Sequence, residues 1–188
     1  MKKYIFFILA ILCPVLYAYQ QPPTRLAALT VGDRVPNLPF KTMINYILPK
    51  AALSDFHHKM VVLDFWGTTC GSCRKDVPML DSLQKQFGNQ LQIVLVNVLP
   101  HTVDTREQIN RYLQKLQSAI PGFSLPIAIE DSLDLLHLFP HTYIPHYVWI
   151  GPTGIVLAIT GSEEMTVLNV TATLAGHLPD LPIKRDSI

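Results

Sequence analysis

The sequence VVLDFWGTTCGSCRKDVP, residues 61–78, joins a continuous apolar run to two cysteines that are separated by two residues. The run at 60–66 is rich in β-branched and aromatic side chains, which predicts a buried central strand. After the cysteines, apolar residues recur at helical spacing over 77–87 and are followed by glycine and asparagine, a typical helix end. Cys70 is therefore predicted to lie where a strand passes into a helix.

The rest of the chain continues the alternation of strands and helices. A second apolar strand is predicted at 91–99, and Asp104 with Glu107 resembles a capping box in front of an amphipathic helix. The elements predicted after it are a short strand at 125–129, a short helix at 132–139, a hairpin of 147–150 with 155–160, and a last helix at 165–178. The β-α-β-α order predicts parallel strands and the hairpin adds antiparallel ones. We therefore expect an α/β fold with a mixed central sheet flanked by helices.

The two ends of the chain differ in composition from its middle. Lys2 and Lys3 precede an unbroken apolar run that ends near Ala18, the layout of a secretory signal or, if it stays uncleaved, of a membrane anchor. The next segment is rich in proline and has little periodicity, which is typical of a linker. The predicted division is a signal segment at 1–18, a linker at 19–35, one domain at 36–180 and a polar tail at 181–188.

The net charge and the number of cysteines indicate the cellular compartment of the protein and the partners that can be expected. Removal of residues 1–18 would leave 13 basic and 14 acidic residues, a net charge of about −1. This balance gives no electrostatic reason to expect a nucleic acid or an anionic membrane surface as partner. Removal would also leave Cys70 and Cys73 as the only cysteines, in an oxidising compartment where a disulfide persists. We expect a periplasmic or cell-envelope protein.

Three other roles of the cysteine pair have less support in the sequence than a redox role: a stabilising bridge, a zinc site and haem attachment. A bridge over two intervening residues stabilises a fold by only about 2 kcal/mol, against about 3 kcal/mol for a loop of 15 residues. Zinc needs two further ligands, and no histidine has paired-ligand spacing with Cys70. Haem attachment needs a histidine directly after the second cysteine, where this chain has Arg74.

A redox role has direct physical support. At the first turn of a helix, the Cys70 sulfur faces unpaired backbone N–H groups and the positive end of the helix dipole, which lowers the pKa of its thiol. We therefore expect Cys70 to be the attacking nucleophile. Cys73, one turn further into the helix, is expected to be the shielded resolving thiol, and the pair to form a redox-active disulfide.

From Asp64 onward, DFWGTTCGSCRKDVP resembles the active-site segment of thioredoxins. Together with the export signal, it is similar to the TlpA/ResA-like branch of exported thiol-disulfide oxidoreductases. The resemblance covers about residues 36–178. Besides the D-F-W strand end six residues before the first cysteine, it is carried by Pro78, where these folds bend the active-site helix, and by TYIPHYVWI at 142–150. The last segment resembles the cis-proline segment of the family, which places Pro145 beside the disulfide and implies a thioredoxin-like fold.

The resemblance also implies roles for individual residues. Asp64 matches the buried carboxylate that relays a proton for the resolving cysteine, and burial in an apolar strand is expected to raise its pKa. A water-facing aspartate on an edge strand is the alternative. If the bond before Pro145 is cis, Ile144 and Pro145 are expected to bind an extended substrate segment by backbone pairing; an ordinary trans proline is the alternative. Trp66 is expected to form part of the active-site surface, with an ordinary core aromatic as the alternative. Asp76 falls where many members have a glutamate that tunes the site, although a solvated helix-face aspartate remains open.

The function implied is an exported thiol-disulfide oxidoreductase. The TlpA/ResA-like branch favours the reducing direction, with disulfide-containing envelope proteins as substrates and a membrane-bound thiol donor as partner. No organic cofactor and no metal are expected. Two alternatives stay open: a disulfide oxidase or isomerase, and a non-catalytic thioredoxin-like module that binds a partner or handles a metal.

Overall fold

The computed structural model describes residues 27–184. The predicted export signal at 1–18 and the first part of the predicted linker, 19–26, lie outside the described residues. In the part of the chain that is described, no helix combines the length and the apolar character that crossing a membrane requires.

The described chain consists of a central sheet with flanking helices and a small separate sheet of two strands. The strands are β1 (Pro39–Phe40), β2 (Met43–Ile44), β3 (Ala51–Ala52), β4 (Met60–Phe65), β5 (Leu91–Val98), β6 (Ile127–Glu130), β7 (His146–Ile150) and β8 (Val156–Thr160). The helices are α1 (Gly71–Phe87), α2 (Leu99–Thr102), α3 (Arg106–Ala119), α4 (Asp134–Leu138) and α5 (Val167–Leu174), with a short 3-10 helix at Leu53–Phe56.

The central sheet has six strands in the order β2-β6-β5-β4-β7-β8. Strand β4 pairs parallel with β5 and antiparallel with β7, while β5 and β6 are parallel. Strands β2 and β8 close the two edges by antiparallel pairing. The predicted α/β fold with a mixed sheet is therefore confirmed.

Strand β4 is buried on both faces, which explains why its sequence is a continuous apolar run. Val62 packs in the hydrophobic cluster that includes α1 and α3, whereas Val61 and Leu63 pack in a second cluster on the opposite face. Successive side chains therefore alternate between the two faces of the sheet. Asp64 therefore points to the α1 side of the sheet, where the cysteines lie.

Both described ends of the chain pack on the free edge of β8. Within the predicted linker, Gly32 donates its N–H to the carbonyl of Val156 at 2.9 Å, and the backbone carbonyl of Asp33 accepts the N–H of Val156 at 2.9 Å. At the other end, Lys184 donates its N–H to the carbonyl of Ile159 at 2.8 Å. An edge strand offers unpaired backbone groups, so segments without regular structure of their own still find partners there.

The predicted capping box of Asp104 and Glu107 is wrong by one residue. Thr105 caps α3 by accepting the N–H of Gln108 at 3.2 Å, and the Gln108 side chain accepts the N–H of Thr105 at 2.6 Å. Both overlapping four-residue patterns fit the signature of a helix start, so the sequence does not distinguish them. Because Thr105 caps the helix, the carboxylate of Asp104 is available for other hydrogen bonds.

Candidate active site

Cys70 and Cys73 form a disulfide at the start of α1. Cys70 occupies the N-cap position, and its sulfur accepts the backbone N–H of Cys73 at 3.2 Å. Cys70 is partly exposed, whereas Cys73 is completely buried. The outer sulfur is therefore open to a partner and the inner one is shielded.

The start of α1 favours the thiolate form of Cys70 once the disulfide is reduced. The Cys73 N–H points at the sulfur, and the Ser72 hydroxyl lies 3.5 Å from it. Helix α1 has 17 residues, so its aligned peptide dipoles add positive potential at this end. Both effects stabilise a negative charge on the sulfur that is exposed.

Asp64 is completely buried in β4, on the α1 side of the sheet. Neither of its carboxylate oxygens has a hydrogen-bond partner among the described residues. Burial is the main reason that its pKa lies well above the ordinary value, and the nearby negative charge of Asp76 raises the pKa further. A carboxyl group of this kind can hold or accept a proton near neutral pH, as acid–base work on a thiol requires.

Asp76 lies in α1 and is held by two hydroxyl groups from distant segments. The Tyr147 hydroxyl donates to its Oδ2 at 2.9 Å, and the Ser162 hydroxyl donates to the same oxygen at 2.7 Å. The Asp76 side chain is half-buried and its carboxylate is hydrogen-bonded within the protein, so it is not a freely solvated group on the helix surface. Burial, followed by the charges of Asp64 and Asp76, also raises the pKa of Tyr147.

Tyr147 and Ser162 are functional candidates that sequence reasoning missed. Tyr147 lies in an apolar strand, and Ser162 lies in a polar loop 86 residues from Asp76. Nothing in either segment signals a contact with the active-site helix.

The loop before β7 reaches the exposed sulfur. The Ile144–Pro145 peptide bond is cis, and the carbonyl oxygen of Ile144 lies 3.7 Å from the sulfur of Cys70. The Ile144 side chain covers Gly67, where an added Cβ would lie 3.1 Å from Ile144 Cδ1. This places the backbone of Ile144 beside the reacting atom, while substrate binding by Ile144 and Pro145 stays a prediction.

Trp66 is not part of the active-site surface, which corrects the prediction made from the sequence. It is 0% exposed, and its ring packs against that of Tyr112 with the centroids 5.3 Å apart. The side chain follows the alternation of β4 towards the helical layer, and α3 covers it there. A substrate therefore does not contact this side chain in the folded protein.

Asp104 holds the loop that precedes Cys70. Its carboxylate accepts the N–H of Thr68 at 2.8 Å, the hydroxyl of Thr68 at 2.5 Å and the side-chain amide of Asn97 at 2.7 Å. The same amide of Asn97 donates to the carbonyl of Trp66 at 3.3 Å. Asp104 and Asn97 thus fix the backbone between the end of β4 and Cys70.

Replacement of Thr68 with valine tests this arrangement. Valine keeps the shape of threonine but removes the hydroxyl that donates to Asp104, so we expect the free energy of unfolding to fall by about 1 to 2 kcal/mol. The matched variant Thr68→Ser keeps the donor and is expected to unfold close to the wild type. Urea unfolding of the oxidised proteins measures both, and equal stability of the two variants would contradict the role of the hydroxyl.

Histidines pack behind the loop that carries Pro145. The rings of His141 and His146 are stacked with their centroids 4.2 Å apart, and His101 meets His141 edge-on at 5.0 Å. Within residues 27–184, no group of three or more His, Cys, Asp or Glu side chains is arranged to hold a metal ion. The expectation of a metal-free site stays a prediction.

Comparisons with known proteins agree with this geometry. A family model described as thioredoxin-like matches residues 58–156. The thioredoxin-like protein YneN of Bacillus subtilis is 33% identical over 126 residues, which are 67% of this chain and 71% of that protein. The thiol-disulfide oxidoreductase ResA of Bacillus subtilis is 28% identical over 119 residues, which are 62% of each chain.

A solved structure supports the fold. A DsbF homologue from Corynebacterium diphtheriae superposes with a TM-score of 0.58 at 18% identity, and the match covers 83% of this chain and 96% of that one. The predicted thioredoxin-like fold is therefore confirmed. The family model, these relatives and the disulfide at the start of α1 together show that the chain belongs to the thioredoxin-like family and is a thiol-disulfide oxidoreductase.

Proposed function

We propose that the protein reduces disulfide bonds in proteins of the cell envelope, with Cys70 as the attacking thiolate. The observation that carries the proposal is the asymmetry of the pair: the Cys70 sulfur is partly exposed beside the carbonyl of Ile144, and Cys73 is fully buried behind it. A partner disulfide reaches one sulfur only, so the order of events is set by burial.

The reaction begins with both cysteines reduced. The Cys70 thiolate attacks one sulfur of the partner disulfide, a mixed disulfide forms, and the other partner sulfur leaves as a thiolate. Asp64 then accepts the proton of the Cys73 thiol, and the Cys73 thiolate attacks the sulfur of Cys70. The Cys70–Cys73 disulfide forms, and the second partner sulfur leaves. Two electrons have passed from the protein to the partner.

Asp76 influences these reaction steps through its effect on Asp64. The hydroxyl groups of Tyr147 and Ser162 keep its carboxylate in one place, so its negative charge remains near Asp64. This charge favours the protonated form of Asp64, which makes the Asp64 carboxylate a stronger base for the Cys73 thiol. Asp76 is therefore a positioning and tuning residue in this proposal.

The environment of the protein follows from the export signal predicted at residues 1–18. Whether the segment is cut or remains as a tether, the domain works outside the cytoplasm, in the periplasm or cell envelope, on disulfide-containing proteins. Each turnover leaves the Cys70–Cys73 pair oxidised, so a membrane-bound thiol donor must return two electrons. The sulfurs of the pair carry the electrons, and no organic cofactor or metal takes part.

Insulin reduction tests the activity and its direction. The purified protein is expected to accelerate reduction of insulin by dithiothreitol, and the same protein alkylated at its reduced cysteines is not. An unchanged rate would overturn the proposal. Equilibration with glutathione buffers then measures the reduction potential: a value near the roughly −270 mV of thioredoxin supports a reductase, and one near −120 mV supports an oxidase or isomerase.

A further inference from the structure

The segment at 182–184 forms one wall of the groove beside the disulfide. The groove has a volume of about 480 Å³ and lies between Ser72 at the start of α1, the loop at 143–145 and the loop at 161–164 after β8. Its remaining wall consists of Pro182, Ile183 and Lys184. Leu181, just before them, packs against the main hydrophobic cluster and anchors this segment on the domain.

Lys184 connects the edge of the sheet with the loop beside Cys70. Its backbone N–H donates to the carbonyl of Ile159 in β8 at 2.8 Å, which fixes its Cα next to the sheet. From there its ammonium group donates to the carbonyl of Tyr143 and, at 3.2 Å, to the carbonyl of Pro145. One side chain thus engages the backbone on both sides of Ile144.

The residue between these two carbonyls is the one that faces the sulfur. The carbonyl of Ile144 lies 3.7 Å from Cys70, and its side chain is packed over Gly67. We propose that Lys184 is a positioning residue that holds the backbone at 143–145 in the orientation that an extended protein substrate pairs with. The inference rests on the proposed function, because it concerns how that substrate is bound before exchange.

Substrate selectivity follows from this role. Hydrogen bonds from a charged donor are stronger than neutral ones, so loss of the ammonium group frees the loop to adopt other backbone conformations. A protein or peptide disulfide that needs the ordered backbone of Ile144 then binds more weakly, since binding has to restore the order. A small thiol reagent that contacts only the sulfur of Cys70 is unaffected.

The kinetic test uses three variants. In Lys184→Met the donors are lost but the aliphatic length is kept, whereas Lys184→Arg retains donors. Lys115→Met is the matched control, because Lys115 is an exposed lysine on α3. For reduction of a disulfide-containing peptide, we expect KM to rise about 5- to 10-fold in Lys184→Met, with partial rescue in Lys184→Arg and no change in Lys115→Met. Alkylation of the reduced proteins by iodoacetamide is expected to proceed at the wild-type rate in all three.

Hydrogen exchange provides a readout that needs no catalysis. The amides of Tyr143, Ile144, His146 and Tyr147 are expected to exchange faster in Lys184→Met than in the wild type or in Lys115→Met. Unchanged exchange, an unchanged KM, or an alkylation rate that falls together with turnover overturns the role of Lys184. Faster loop exchange in a protein whose wild type does not reduce insulin supports the position of Lys184 and overturns the proposed function instead.

Discussion

Replacement of Cys70 with serine abolishes disulfide exchange, whereas replacement of Cys73 with serine leaves the first attack intact and stops the reaction at the mixed disulfide. A hydroxyl at position 70 is not ionised near neutral pH, so we expect the rate of insulin reduction to fall by more than about 10³-fold in Cys70→Ser. Cys73→Ser also loses turnover, and when the reduced variant is mixed with a peptide disulfide in the absence of dithiothreitol it accumulates a covalent complex. Mass spectrometry under non-reducing conditions detects that complex as an adduct of protein and peptide.

The two variants differ because the helix start exposes one sulfur and buries the other. Cys73 is 0% exposed, so it contacts a partner only through the sulfur of Cys70. The control for folding is the reduced wild type, which lacks the disulfide just as the two variants do. The thermal unfolding midpoints of the variants should therefore be close to that of the reduced wild type. Adducts that form on Cys70→Ser and not on Cys73→Ser would reverse the assigned order and contradict the mechanism.

The part of the site that is local in sequence could be predicted. The apolar run of β4 and the helical spacing after it predict Cys70 at a strand-to-helix junction, which the structure confirms. These features depend on neighbours within about ten residues. The burial of Trp66 was not predictable in this way, because the ring that covers it, Tyr112, belongs to a helix that lies about 40 residues further along the chain.

Contacts between distant segments were not predictable from the pattern. Asp104 has the side chain of a helix cap, and its actual partner Thr68 lies 36 residues away. The bond of Ser162 to Asp76 spans 86 residues, and that of Lys184 to Tyr143 spans 41. Periodicity describes what one element buries, whereas these bonds depend on which loops the finished sheet brings together. These bonds hold the segments around the disulfide in place, and in this way they influence its reactivity.

Replacement of Asp64 with asparagine is expected to make the oxidised protein more stable and the enzyme slower. The wild-type carboxyl group is fully buried without a hydrogen-bond partner among the described residues, so its ionised form is costly. Asparagine keeps the shape and removes the charge. We expect the free energy of unfolding at pH 7 to rise by about 1 to 3 kcal/mol.

The gain in stability has a defined pH dependence. The pKa of Asp64 is raised in the folded protein, so the folded state binds its proton more tightly than the unfolded state does. The wild type therefore has this contribution in full below the ordinary pKa of about 3.9, and loses it as pH rises through the raised pKa. Within that window, the difference between variant and wild type grows by up to about 1.4 kcal/mol per pH unit. Urea unfolding at several pH values measures it.

Asp81 offers a matched control for the stability effect. It is also a buried aspartate, but it accepts two hydrogen bonds from Ser124, at 2.8 and 2.9 Å, and pairs with Lys85 at 2.7 Å. Because its charge is compensated, Asp81→Asn should lower the free energy of unfolding, the opposite sign to Asp64→Asn. A loss of stability in both variants at pH 7 would show that the Asp64 carboxyl group does not destabilise the folded protein.

The kinetic effect of Asp64→Asn falls on the second step of exchange. Without a carboxylate to accept its proton, the Cys73 thiol attacks the mixed disulfide more slowly, and general base catalysis of this kind contributes about 10²-fold or more. We expect the first attack, followed with a peptide disulfide in a single turnover, to keep its wild-type rate while the mixed disulfide persists about 10² times longer at pH 7. A thiol ionises unaided at high pH, so the defect should shrink as pH rises towards 9. A defect that is equal at pH 7 and pH 9, or one that lies in the first attack, would assign Asp64 a different role.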